Sequence, residues 1–275
     1  MEREVSQRPT EARNPRASDL ASLSTRQILE LMNDEDATVP GAVRRALPQI
    51  ERAVEAIVAS FGRGGRLRYV GAGTSGRLGV LDASEAPPTF GVDEDIVRGL
   101  IAGGDEALRH SVEGAEDDAG SGSRDARERV RSGDVVVGIS ASGRARYVIG
   151  ALVMAREIGA TTVALTCDAS APLVTNADIV IAVDVGPEVL AGSSRLKAGT
   201  ATKLVLNMLT TAAMVRAGRT HGDLMVDLRA TNTKLRERAV RMVRDATGLD
   251  EAAARERLEA NEWSVRRVLE AHRQR

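Results

Sequence analysis

The 275 residues carry a formal net charge of −1, and 43% of them are apolar but only 2% aromatic. That suits one large domain plus an appendage around a core of Leu, Val, Ile, Ala and Met. It argues against a nucleic-acid binder held by phosphate neutralisation, and the lone Cys167 excludes an internal disulfide.

Residues 1–20 are charged and carry Pro9 and Pro15, the pattern of an arm, with no apolar segment for a signal peptide. Ser24 or Thr25 is expected to cap a helix with Ile28, Leu29, Leu31 and Met32 inward, stopped by Asn33-Asp34-Glu35-Asp36. Pro40 suits the first turn of a second helix. Val43, Leu47, Ile50, Val54, Ile57 and Phe61 then recur at helical spacing and predict one amphipathic helix of about six turns. These segments make up an N-terminal unit, 1–56.

The period then changes. β-like runs recur at 67–70, 97–102, 134–140, 161–166 and 179–183, with helical stretches between several of them. Continuous apolar runs such as Val135-Val136-Val137 fit a parallel sheet covered on both faces. The expected fold over 57–220 is therefore a doubly wound α/β domain with its ligands at the carboxyl ends of the strands.

Three of those strand ends are rich in small polar residues. The first is Gly71-Ala72-Gly73-Thr74-Ser75-Gly76, the second Ser140-Ala141-Ser142-Gly143-Arg144, and the third runs from Gly192 through Ser193, Ser194, Arg195 and Lys197 to Thr200. Hydroxyls and amides at helix starts suit a phosphate, and three such loops can converge on one anion. Arg195 and Lys197 could add charge or be ordinary surface bases. The first loop is not a Walker loop, for no Lys follows its last glycine. It is a poor dinucleotide fingerprint too, because no acid ends a second strand at the required distance.

Two carboxylates stand out by position. Pro87 is expected to stop the helix after the first loop near Glu85, setting that carboxylate at a negative helix end where its protonated form is favoured. Glu116 follows the run at 97–102, where an acidic helix start is the plainer reading. His110, His221 and His272 lack metal-ligand spacing, and no run is long enough to span a membrane. Residues 232–275 read as a charged helical appendage with Trp263 as its packing anchor.

The segments GAGTSGRLGVLDASE, LIAGG, VEGAEDD, VVVGISASGR, GSSRLKAGTATKLVLNML and DLMVDLRATN, with NDEDATVP near the start, closely resemble N-acetylmuramic acid 6-phosphate etherases from about residue 18 onward. The resemblance implies the sugar isomerase fold, a five-stranded parallel sheet sandwiched by helices, usually as a homodimer. It implies cleavage of the D-lactyl ether of a phosphosugar in the cytoplasm, with neither metal nor cofactor. It carries catalysis onto Glu85 and Glu116, with Glu85 the acid that protonates lactate and Glu116 the base at C2. The resemblance puts phosphosugar loops on Ser75, Ser140, Ser142, Ser193 and Ser194, and the loop chemistry adds Gly73, Thr74 and Lys197 to the expected phosphate-binding set. The chain departs at Ala86, where many members have Cys, and its C-terminal part looks shorter by roughly one helical hairpin. An aldose–ketose isomerase on the same fold would return the C2 proton to C1 and release no lactate. A non-catalytic phosphosugar sensor, like the glucokinase regulatory proteins, would share the loops but be much longer.

Overall fold

The computed structural model describes residues 10–228, 230 and 233–273. The first nine residues of the arm, the end of the 223–232 motif and the tip of the appendage lie outside them. Helix α1 (Thr25–Asp36) starts in a capping box, with Ser24 and Gln27 each satisfying the other's backbone N–H. Leu31 is buried, but Leu29 points outward at 59% exposure, and Asn33-Asp34-Glu35-Asp36 form the last turn, after which the helix ends.

The expected six-turn helix is two helices, α2 (Val39–Arg45) and α3 (Leu47–Gly62), parted at Ala46. Pro48 explains the break. It has no N–H to extend α2, and its fixed φ suits the first turn of α3.

Five parallel strands follow: β1 (Leu67–Gly71), β2 (Val97–Ile101), β3 (Val135–Ile139), β4 (Thr161–Thr166) and β5 (Ile179–Ala182). Their order is β2-β1-β3-β4-β5, so β1 and β3 are neighbours and the chain reverses direction across them. Between them run α4 (Gly73–Phe90), α5 (Ala119–Arg129) and α6 (Arg146–Ile158), and α7 (Lys197–Arg216) follows β5. Alternation along the strands sorts the core into two layers. Leu67 and Tyr69 pack with residues of α2, α3, α4 and α7, while Val70 and Val136 pack with α5 and α6. A third cluster joins Val226 and Leu228 to α8 (Thr233–Thr247), α9 (Glu251–Ala260) and α10 (Val265–Arg273). Trp263 packs against it under the Arg236 guanidinium, 5.0 Å from the ring centre.

Helix α4 corrects one expectation. It does not stop near Glu85 but continues through Pro87 and Pro88 to a left-handed cap at Gly91, whose N–H donates to the Pro87 carbonyl. The two prolines leave the Ala83 and Ser84 carbonyls without their helical donors, a local cost of about 3 kcal/mol per interior proline. Burial of Ala83, Ala86 and Phe90 against the core holds the helix together. Ala83, Ser84, Pro87 and Pro88 line a 770 Å³ surface cavity on that side of the helix. Glu85 therefore sits within the helix and not at its negative end.

Lys197 is a second correction. Its side chain is 4% exposed and its Nζ donates to Glu35 Oε2 at 2.6 Å, so it ties α7 to α1 and does not face a free anion. Burial alone would raise the Glu35 carboxyl, but the hydrogen bond and charge of Lys197, with Arg16 at 3.0 Å, hold it below its ordinary value. A lowered carboxylate contributes stability above its unfolded pKa and loses it as pH falls, here below about 4.

At neutral pH, Lys197→Met leaves the Glu35 carboxylate with only the half-exposed Arg16 as its cation and is expected to cost about 2–3 kcal/mol. Adding Glu35→Met should recover more than half of that loss. Urea melts read both values. Unchanged stability in Lys197→Met, together with a raised KM, would restore Lys197 as a ligand.

Candidate functional site

The three polar loops lie at one end of the sheet because all five strands are parallel. The first two follow the neighbouring strands β1 and β3, with Gly71 in register with Ile139. The first and third meet across α4 and α7, since a Cβ added at Gly199 would lie 3.7 Å from the Thr74 methyl group.

The first loop is tight. A Cβ at Gly71 would fall 2.5 Å from the Gly76 nitrogen, and Gly73 takes a left-handed backbone with φ of 52°. The second loop is held from beneath. Thr166 donates to the Ala141 carbonyl at 3.1 Å, and Arg144 reaches Asp168 at 3.4 Å. Burial tends to raise Asp168, but bonds from Ser170 and the Arg144 charge bring it below its ordinary value.

Among the described residues, the hydroxyls of Thr74, Ser75, Ser140, Ser142, Ser193 and Ser194 make no hydrogen bond to protein, whereas Ser60, Ser123 and Ser170 do. Six free hydroxyls thus gather at the strand ends, where an incoming anion needs donors.

The third loop offers fewer donors than its sequence suggests. Glu188, 2% exposed, occupies the start of α7, with its two carboxylate oxygens accepting from the Lys197 and Ala198 N–H groups at 3.0 Å each. An anion already fills the helix dipole there. Glu188 lies nine residues before the helix, outside any capping spacing, so no local pattern revealed it.

Glu116 lies exposed in a short 3₁₀ turn, Ala115–Asp117, and lines a 230 Å³ cleft with Ala72, Gly73, Arg77 and His110. Arg77, which sequence reasoning passed over, reaches from α4 to the Leu108 carbonyl at 3.2 Å and the His110 carbonyl at 3.1 Å. It pins the segment bearing Glu116 to the helix that opens the first loop.

Glu85 lies elsewhere. Ten residues along α4 put it roughly 15 Å from Ser75 at 1.5 Å per residue. It is exposed and lines a separate 130 Å³ cleft with Asp82, Thr89, Lys203, Asn207 and Thr211. Beneath it, Tyr69 donates to Asp82 at 3.0 Å and Thr210 donates at 3.3 Å. Burial raises the Asp82 carboxyl above its ordinary value, and these bonds offset only part of that. The structure thus joins Glu116 to Gly73 and leaves Glu85 in its own cleft. The 770 Å³ cavity holds none of the predicted site residues. Burial pushes the Cys167 thiol up to about 12, which leaves it no thiolate chemistry near neutrality.

The glucokinase regulatory protein N-terminal SIS domain family matches residues 49–156, and the SIS domain family matches residues 117–212. A phosphoheptose isomerase from Neisseria gonorrhoeae superposes with a TM-score of 0.52 at 20% identity, over 69% of this chain and 98% of that one, which is a likeness of fold. N-acetylmuramic acid 6-phosphate etherase of Brucella anthropi is 55% identical over 94% of this chain and 85% of its own length. N-acetylmuramic acid 6-phosphate etherase 2 of Vibrio cholerae serotype O1 is 58% identical over 86% of this chain and 78% of its own length. With its SIS fold, the chain belongs to the N-acetylmuramic acid 6-phosphate etherase family.

Proposed function

We propose that this chain cleaves the D-lactyl ether of N-acetylmuramic acid 6-phosphate, giving N-acetylglucosamine 6-phosphate and D-lactate, as its relatives are named to do. The observation that carries the residue assignment is the shared cleft, where Gly73 of the first loop and the Glu116 carboxylate line one wall. A phosphate on the loop hydroxyls puts the sugar carbons within reach of that carboxylate.

An unactivated ether resists water, but this one lies β to the masked aldehyde of the sugar. In the open-chain form, Glu116 takes the proton from C2, the C3–O bond breaks, and the lactyl oxygen leaves with the bonding pair. Glu85 gives that oxygen its proton. Water then adds to C3 of the unsaturated aldehyde, returning a proton to Glu85, while Glu116 returns one to C2. Both carboxylates end as they began. The cycle consumes one water and uses only proton transfers.

The working unit in this reading is a homodimer. Clefts of 230 and 130 Å³ each fall short of the roughly 300 Å³ that encloses a small ligand. Apolar side chains flank both carboxylates: Leu81, one turn before Glu85, is 45% exposed, and Val112, in the Glu116 cleft, is 36% exposed. A second copy supplies the missing wall and covers them. Among the described residues no helix is long and apolar enough to cross a membrane, and the reading sets the reaction in the cytoplasm, in recycling or use of cell-wall sugar.

Incubation with N-acetylmuramic acid 6-phosphate and an assay for D-lactate tests the reaction, and no lactate at high enzyme concentration refutes it. The unphosphorylated sugar should show kcat/KM lower by about a hundredfold or more, because the phosphate's binding energy is used in the transition state. Equal values for the two sugars would remove the loops from the site.

Isotope exchange separates the carboxylates. In heavy water, Glu85→Gln should wash deuterium into C2 of the substrate while lactate release falls about 100- to 10,000-fold, and Glu116→Gln should do neither. Exchange kept by Glu116→Gln and lost by Glu85→Gln would swap the roles.

A further inference from the structure

The Glu85 cleft holds a cation for which the reaction as written has no use. Lys203 lies on α7 with Asn207, Thr210 and Thr211, at the spacing of one helix face. That face meets Asp82, Glu85 and Thr89 of α4 across the cleft. Lys203 is half-buried, and among the described residues its Nζ has no carboxylate in ion-pair contact, although its charge acts on the Asp82 carboxyl across the cleft. Its partner is neutral, Asn207 Oδ1 at 2.5 Å. With that oxygen engaged, the Asn207 amide presents its N–H groups outward.

The leaving group supplies the missing anion. Lactate carries its carboxylate on the carbon bonded to the ether oxygen. When Glu85 hands its proton to that oxygen, the lactyl carboxylate is therefore held within about 3 Å of it by bond lengths alone. Without a cation, that carboxylate faces Glu85 as it becomes negative, with Asp82 behind, and like charges at this range oppose the transfer. The cleft is small for a phosphosugar but has room for a lactyl arm of six non-hydrogen atoms.

We infer that Lys203, with the Asn207 amide beside it, binds the carboxylate of the lactyl group and selects ethers that carry an acid on the departing arm. This rests on the reading of Glu85 as the acid that meets the lactyl oxygen. Lys203 is then a specificity residue that touches substrate, distinct from the serine loops that take the phosphate at the other end of α4.

The test compares two substrates, N-acetylmuramic acid 6-phosphate and the same compound with its lactyl carboxylate converted to the carboxamide, across wild type, Lys203→Gln and Lys203→Met. Wild type should prefer the acid in kcat/KM by about 10- to 100-fold, the usual value of a charged hydrogen bond. Both variants should lose about that factor on the acid yet process the amide within about threefold of wild type, so the preference collapses. The amide rate also reports that the variants fold. A preference kept in both variants, or an equal loss on both substrates in both variants, overturns the inference while leaving the reaction in place. A wild-type protein that frees no lactate from the natural ether overturns the reading of the reaction and this inference together.

Discussion

Everything at the site depends on how closely α4 lies on β1. Glycines make that approach possible, because a Cβ at Gly76 would fall 2.8 Å from the Gly71 carbonyl oxygen, and one at Gly79 would fall 2.9 Å from the Tyr69 Cβ. One turn further on, a hydrogen bond replaces contact, as Tyr69 donates to Asp82. With the helix fixed at three heights, its outward residues are fixed as well. Ser75 stands at the strand ends, Arg77 clamps the Glu116 segment, and Glu85 looks into the groove against α7. A rigid scaffold of this kind holds catalytic groups to the tolerance that proton transfer demands.

Charge is handled in two ways. Where it holds the fold, it is buried and closed: Lys197 on Glu35, Glu188 on the first amides of α7, Arg68 on the Asp95 carboxylate and three backbone carbonyls. Each is a complete set, and removing one member leaves a desolvated charge. Where the proposed chemistry lies, the groups are open. The strand-end hydroxyls, Glu85, Glu116 and Lys203 have neutral partners or none among the described residues. Open polar groups in a protein otherwise this well satisfied are what an incoming ligand completes.

Much of this was legible in sequence because it rests on local pattern. The five strands fall within a residue or two of their apolar runs, and the glycine–hydroxyl loops follow from strand-to-helix turns. What sequence concealed was long-range. The pairing of Lys197 with Glu35 spans 162 positions, and no periodicity reports it. Glu188 folds back to cap a helix from outside capping distance. Pro87 misled because the penalty for a proline is local, while its compensation, burial of Ala86 and Phe90, comes from other elements. Pro48 could have been read, since a proline just inside a helix start is a known sign of a new helix, but the unbroken apolar spacing hid it.

The separation of the two carboxylates also has a chemical logic. Side by side they would share one proton, and their pKa values would split into a coupled pair. The proposed reaction needs one ionised to take the C2 proton and the other protonated to release lactate, both at one pH. Glu116 by the Gly73 turn and Glu85 in the groove against α7 line separate clefts, so the two do not sit side by side on one proton. Each group has its own surroundings: Gly73, Arg77 and His110 line the cleft of Glu116, and Asp82, Lys203 and Asn207 line that of Glu85. Separation requires in turn that the substrate bridge the two, phosphate at one end and lactyl arm towards the other. A substrate with an anion at each end suits a helix that offers serine hydroxyls at its start and a lysine opposite its last turns.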